Sequence, residues 1–280
     1  MKIGVALSGG GIRGIAHAGV LKAFEENDIR VDVIGGTSSG SLVAVLYAMG
    51  YTPYYIYMLF KRYAQELVSV DTTPIINTVG SFITSKKFSI YGFNSGMAIE
   101  KAYNEIALRK GVKLMKDIKM PVVIPAVDIK SSKKFVFNNL KNESMYISDS
   151  SVGKAVRASC SFPGVFCPCV YKEYSFLDGG ILDNIPVNEV KKFGADKVLA
   201  INFKADDIDE SSNFMDISMR TLDIMGNKIS EECLQNSDFV LTVETDKTGL
   251  LDVNKIDSCY NFGYDAAIKN MGKIKTIFKV

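Results

Sequence analysis

Within its first fifty residues the chain twice runs a short apolar strand into a glycine-rich turn and then into a helix. "KIGVAL" (2–7) passes through "SGGG" into a helical stretch from Ile12 to Asn27, and "VDVIGG" (31–36) passes through a second turn into "SGSLVAVLYAMG", with Gly50 placed to cap its end. Strand, glycine turn and helix, repeated twice, is the signature of parallel strands joined by helical crossovers, so the pattern predicts an α/β architecture with a mainly parallel central sheet. Later strands are expected at 121–129, 134–139, 196–203 and 238–245, with helices near 53–68, 95–109, 151–160, 186–193, 213–235 and 259–278. No repeat, low-complexity tract or linker interrupts the 280 residues, which predicts a single domain over 1–280. The stretch from 51 to 115 is less regular and reads as a helical cap over the sheet.

Composition narrows the function classes. The formal net charge is +2, so no global field favours nucleic acid. The five cysteines (160, 167, 169, 233 and 259) are odd in number, and "MKIGVAL" begins directly as a strand with no leader pattern, so free thiols in a reducing cytoplasm are expected. Cys167-Pro168-Cys169 lacks zinc-ribbon spacing and no second cysteine pair or histidine cluster accompanies it, so no metal is expected. No apolar run is long enough to predict a membrane span.

The first turn, Gly9-Gly10-Gly11-Ile12-Arg13-Gly14, satisfies G-x-G-x-x-G between strand and helix, the setting of a dinucleotide-binding fingerprint. That function also needs an acid at the end of the second strand. Here glycines stand in its place, and Asp32 opens the strand instead of closing it. Converging backbone N–H groups at a helix N-terminus suit any developing anion equally well, including the oxyanion of an ester under attack. A turn without chemistry also fits the loop taken alone.

The second turn, Gly36-Thr37-Ser38-Ser39-Gly40, is G-x-S-x-G with a strand before it and a helix after it, as a nucleophile elbow requires. Ser38, flanked by Gly36 and Gly40, is the candidate nucleophile; an ordinary helix N-cap is the competing reading. The partner base is the harder question. His17 is the sole histidine and precedes Ser38, which excludes the Ser–acid–His order of α/β-hydrolases. On a helix His17 shares a face with Val20, Leu21 and Phe24, so a packed, structural histidine is expected. A buried carboxylate can take the serine proton instead, once burial has raised its pKa. Asp178 in "FLDGGILDNIPV" (176–187) follows an apolar strand and precedes two glycines, but Asp-Gly is also common in plain turns. The residues alone leave the choice among the acids open.

Taken together, "GGGIRG" with "HAGVL" behind it, "GTSSG", "RASCSFPGVFCPC" and "LDGGILDNIPV" resemble the patatin-like phospholipases, in that family's order, over residues 3 to about 203. The resemblance implies a three-layer α/β/α fold in which 204–280 completes the sheet and outer helices. It implies a Ser38–Asp178 dyad working without histidine, cofactor or metal. It further implies an oxyanion hole from the segment Gly9, Gly10, Gly11 and Arg13, a structural role for His17, and Pro163, Phe166 and Pro168 shaping the approach to the dyad. The expected activity is hydrolysis of lipid carboxylic esters through an acyl-enzyme. Acyl transfer or hydrolysis of small soluble esters by the same dyad are alternatives, as is a non-catalytic lipid- or nucleotide-binding module. The implied partner is a lipid or acyl-ester substrate. "YTPYYIYMLFKRYAQEL" (51–67) fits an interfacial segment making peripheral membrane contact, the wall of an acyl pocket, or a core helix.

Overall fold

The computed structural model describes residues 1–68, 94–204, 214–246, 248–249 and 251–280. Its first strand, β1 (Ile3–Leu7), enters a 3₁₀ turn at Gly11–Ile15 and continues as α1 (Ala16–Glu26); β2 (Val33–Gly36) enters α2 (Ser39–Ala48). The two strands pair in parallel from Gly4↔Val33 to Leu7↔Gly36, as the strand–turn–helix repeat predicts. Gly50 has φ +80°, the left-handed conformation of a helix terminator. Then follow α3 (Pro53–Val68), α4 (Met97–Leu108), β3 (Val122–Asp128), β4 (Lys133–Asn138), β5 (Tyr146–Ile147), α5 (Val152–Ser159), β6 (Cys169–Tyr171) and β7 (Tyr174–Asp178). The chain ends with α6 (Val187–Lys192), β8 (Lys197–Phe203), α7 (Phe214–Gln235), β9 (Phe239–Val243) and α8 (Ile256–Phe278).

The main sheet runs β5-β4-β3-β2-β1-β8-β9, with β7 on β3 and β6 on β7. The β1, β2 and β3 strands are buried along their whole length, because helices cover both faces. Alternate residues serve the two faces. On one side Ile3, Val5, Leu7, Ile34, Ile124, Leu199 and Ile201 meet the large helical layer of α1, α2, α3, α4, α5 and α8. On the other, Ala6, Val33, Val123, Val198 and Ala200 meet Val187, Val190 and Phe193 of and beside the short α6. The architecture is a mixed, mostly parallel sheet between two helical layers, as expected. At the edge, β9 alternates buried and exposed residues. The long α8 docks on α1 at a close crossing: a side chain at Gly19 would strike the Tyr260 carbonyl, and one at Gly263 would strike that of Ala16.

The region expected to form a cap contributes to the larger layer instead, since α3 packs on α1 and α2, and α4 on α5. Residues 69–93 of it lie outside the described residues. One face of α3 is core (Ile56, Leu59, Ala64), while Tyr54, Tyr55 and Met58 are exposed.

Of the short strands, β7 has the largest consequence for the arrangement that follows. One edge of β3 is taken by β4, so β2 and β7 share the other. The β2 strand pairs with the start of β3 (Ile34↔Val122, Gly35↔Val123) in parallel, and β7 pairs with its end (Ala126↔Asp178 to Asp128↔Phe176) antiparallel. Their C-terminal ends therefore run toward each other and meet beside Pro125. A side chain on Gly179 would collide with the Pro125 carbonyl and approach the Thr37 methyl to 3.0 Å. Topology alone thus brings the residues after Gly36 up against Asp178.

Candidate active site

Ser38 stands at the turn from β2 into α2 with φ 52° and ψ −125°, a strained conformation for a residue with a side chain. Its hydroxyl makes no capping hydrogen bond to α2, which sets aside the N-cap reading. The strain is held by neighbours. The Ser38 N–H donates to Ser159 Oγ at 3.0 Å, its carbonyl accepts from Ser41 Oγ at 2.6 Å, and Thr37 Oγ1 donates to the Asp183 carbonyl at 2.8 Å. The flanking glycines are needed for close approach: a side chain on Gly36 would meet the Gly40 carbonyl, and one on Gly40 those of Leu7 and Ser8.

Asp178 closes β7. Alternate residues of a strand share a face, so Asp178 lies on the side of Phe176, which is packed between Phe135 and Phe137 at ring distances of 5.4 and 5.2 Å. The Asp178 N–H donates to the Ser161 carbonyl at 3.0 Å, and Oδ1 accepts from the Gly180 N–H at 2.8 Å. Burial pushes the carboxyl pKa up to about 7, although the Ser38 hydroxyl and the Gly180 amide pull it back down. Oδ2 accepts no well-formed hydrogen bond among the described residues. The Ser38 hydroxyl therefore influences the carboxyl without being locked to it, a looseness common in sites without substrate.

Both side chains line one cavity of about 140 Å³. Its walls are mostly apolar, with Ile12, Leu42, Phe60, Ile99, Phe162, Val165, Phe166, Ile181, Met225 and Leu251 around Gly9, Gly10, Gly11, Ser38, Asp178 and Asn184. Phe166 lines it as expected, but Pro163 and Pro168 do not; Phe162 and Val165 take that role from the same segment. Phe60 makes α3 part of the wall.

The four residues of the expected oxyanion segment separate into different tasks. The Gly9 N–H does not face the cavity as a free donor, because it is shared by Asn184 Oδ1 at 3.1 Å and the Asn184 carbonyl at 3.3 Å. Arg13 does not line the cavity. It is buried, its Nε donates to the Gly10 carbonyl at 3.2 Å, and its guanidinium lies over the Phe203 ring. A planar trans peptide points its N–H opposite to its carbonyl, so anchoring the Gly10 carbonyl turns the Gly11 N–H away from Arg13. The Gly10 and Gly11 N–H groups donate no hydrogen bond among the described residues, as expected at the first turn of a helix.

His17 is buried, and its Nε2–H donates to the Ser8 carbonyl at 2.8 Å beneath the same loop. Burial lowers its pKa to about 4, so the ring is neutral near pH 7. It packs against Phe203 at 4.9 Å and supports the glycine loop from behind. Around it Val20, Leu21 and Phe24 are buried, matching the stripe read from the sequence.

Residues not singled out from the sequence complete the site. Asn184 bridges the glycine loop and the Asp178 turn, and Ser159 holds the elbow. Behind them Lys134 bridges Asp183 and Glu189 at 2.7 and 2.9 Å. Asn184 lies within the quoted "LDGGILDN", where nothing marks it apart from turn chemistry. Lys134 is a strand residue whose partners are some fifty positions away, so no local pattern reveals it.

A family profile described as Patatin-like phospholipase matches residues 5–191. Lysophospholipase NTE1 of Scheffersomyces stipitis is 30% identical over 297 residues, covering 95% of this chain and 18% of that protein. Lysophospholipase NTE1 of Debaryomyces hansenii is 35% identical over 217 residues, covering 76% of this chain and 12% of that protein. The chain thus spans less than a fifth of the length of these relatives. Among solved structures, VipD from Legionella pneumophila superposes with a TM-score of 0.54 at 14% identity, over 97% of this chain and 67% of that one. ExoU in its complex with SpcU, from the type III secretion system of Pseudomonas aeruginosa, superposes with a TM-score of 0.51 at 18% identity, over 98% and 51%. At these identities the likeness is one of fold.

Proposed function

The chain belongs to the patatin-like phospholipase family, and on that premise we propose that it hydrolyses carboxylic esters of lipids through a Ser38–Asp178 dyad. The observation that carries the reading is a strained serine beside a buried carboxyl with a pKa of about 7, in an apolar cavity with two unused backbone donors.

Ser38 Oγ attacks the ester carbonyl carbon as its proton passes to the Asp178 carboxylate. The carbonyl π pair moves onto oxygen, where the Gly10 and Gly11 N–H groups and the α2 N-terminus stabilise the negative charge. Collapse breaks the bond to the alcohol oxygen, which leaves with the proton from Asp178. In the resulting acyl-enzyme, Asp178 takes a proton from water as its oxygen attacks. The second tetrahedral species releases the fatty acid, and the Asp178 proton returns to Ser38 Oγ.

An apolar wall suits a hydrocarbon acyl chain. Met225 and Leu251 line the cavity and are also exposed, as are Leu182 and Ile224 beside the lining residues Ile181 and Met225. Apolar surface at the mouth of a lipid site supports peripheral contact with a lipid surface. Among the described residues no helix is long and apolar enough to cross a membrane. The direct test is a fluorophosphonate probe: wild type is labelled and Ser38→Ala is not. Equal labelling of both would sink the nucleophile assignment.

A further inference from the structure

Asn184 holds an unused hydrogen-bond donor inside the cavity. Its side chain is more than nine-tenths buried, at 8% exposure. The Gly9 N–H can only donate, so the atom of Asn184 that faces it is Oδ1, and the orientation of the carboxamide follows without ambiguity. Nδ2 then points elsewhere and makes no hydrogen bond among the described residues, although the side chain lines the cavity. The carboxamide fills the space left by two glycines: a Cβ on Gly9 would stand 2.6 Å from Oδ1, and one on Gly180 3.1 Å from it and 3.1 Å from Asp178 Oδ1. The amide is therefore lodged between the glycine loop and the aspartate turn.

Nδ2 is not sealed from water, so a ligand that fills the cavity must supply it with an acceptor or leave it unsatisfied, and the site discriminates for a ligand that brings one. In the proposed reaction the acceptor that appears in this cavity is the acyl carbonyl oxygen, which gains charge beside the glycine loop. We propose that Asn184 is a third oxyanion donor, giving Nδ2–H to that oxygen alongside Gly10 and Gly11 while Oδ1 fixes Gly9. The inference rests on the Ser38–Asp178 reading.

The test compares Asn184→Ala, Asn184→Asp and Ser38→Ala with wild type on a p-nitrophenyl ester, with circular dichroism as the check on folding. Asn184→Ala is expected to lower kcat about a hundredfold with KM changed less than about threefold, the size of effect of losing one such donor. Asn184→Asp keeps an acceptor for Gly9 and replaces the amide donor with a carboxylate. At pH 8 it is expected to be at least as impaired as Asn184→Ala, whereas a residue that merely clamps Gly9 would be rescued by it. Wild-type kcat in folded Asn184→Ala, or wild-type kcat for Asn184→Asp from pH 6 to 9, overturns the proposal. Full activity in Ser38→Ala instead overturns the dyad, so the two failures are distinguishable.

Discussion

Two buried aspartates five residues apart in one turn, Asp178 and Asp183, behave differently because only one has a cation. Burial drives both pKa values upward. Asp183 is met by Lys134 Nζ at 2.7 Å, and the same ammonium reaches Glu189 at 2.9 Å. Burial works against the Lys134 charge, yet the two carboxylates outweigh it and hold its pKa well above the ordinary lysine value. Burial likewise pushes Glu189 up, but Lys134 and Lys192 outweigh it and hold its pKa down. Asp178 has an amide and a hydroxyl as neighbours instead, and its pKa settles at about 7. Burial without a counter-ion produces a base with useful strength near neutrality; burial with one produces a bolt. The bolt serves the base, since the Asp183 carbonyl receives Thr37 and so ties the aspartate turn to the elbow.

The sharpest separation of the two is in turnover. Asp178→Asn is expected to reduce ester hydrolysis by roughly four orders of magnitude, the scale seen when an acid–base group is lost; activity within tenfold of wild type would remove Asp178 from the chemistry. On the other side, Lys134→Met leaves the buried Asp183 without its cation and Glu189 with Lys192 alone. Urea unfolding should show a loss of about 3–5 kcal/mol, and an unchanged midpoint would mean the network is not the anchor described.

The same Asp178→Asn change should stabilise the fold while abolishing its activity. A carboxyl whose folded pKa lies above its unfolded value costs nothing when both states are protonated, below about pH 4. The cost grows as pH rises and is complete above pH 7. Asn avoids it, so the variant should exceed wild type by about 4 kcal/mol at pH 8 and by almost nothing at pH 4; a gap independent of pH would contradict an unpaired, titrating Asp178. Smallest per step is the activity profile. Because Asp178 must be ionised to accept the proton, kcat/KM should rise about tenfold per pH unit toward pH 7 and level off above it. A profile breaking near pH 4 instead would indicate a carboxyl that burial had not perturbed.

Much of this was legible in the chain. The elements with strong periodicity, from β1 to α8, were predicted close to where they lie, and the turn at Ser38 and the "LDGG" turn were both visible as glycine-flanked motifs. The short strands β5, β6 and the exact partner of β7 were not, since two to five residues carry too little pattern. The choice of Asp178 over other acids depended on resemblance, because acidity is decided by neighbours remote in sequence. Gly9 and Arg13 were expected within the oxyanion segment, yet one N–H is occupied by Asn184 and the guanidinium supports the loop from outside the cavity.

The sequence by itself determined the layered α/β plan, the glycine-flanked turn at Ser38 and the exclusion of the Ser–acid–His order, because glycine placement, apolar periodicity and the position of one histidine are read directly along the chain. Only the tertiary structure decided which carboxyl meets Ser38. That depends on β2 and β7 converging on one edge of β3, and on Lys134 reaching Asp183 but not Asp178. Desolvation and charge pairing act through space, so the difference between a buried aspartate left without a cation and one held by Lys134 has no counterpart in the local sequence.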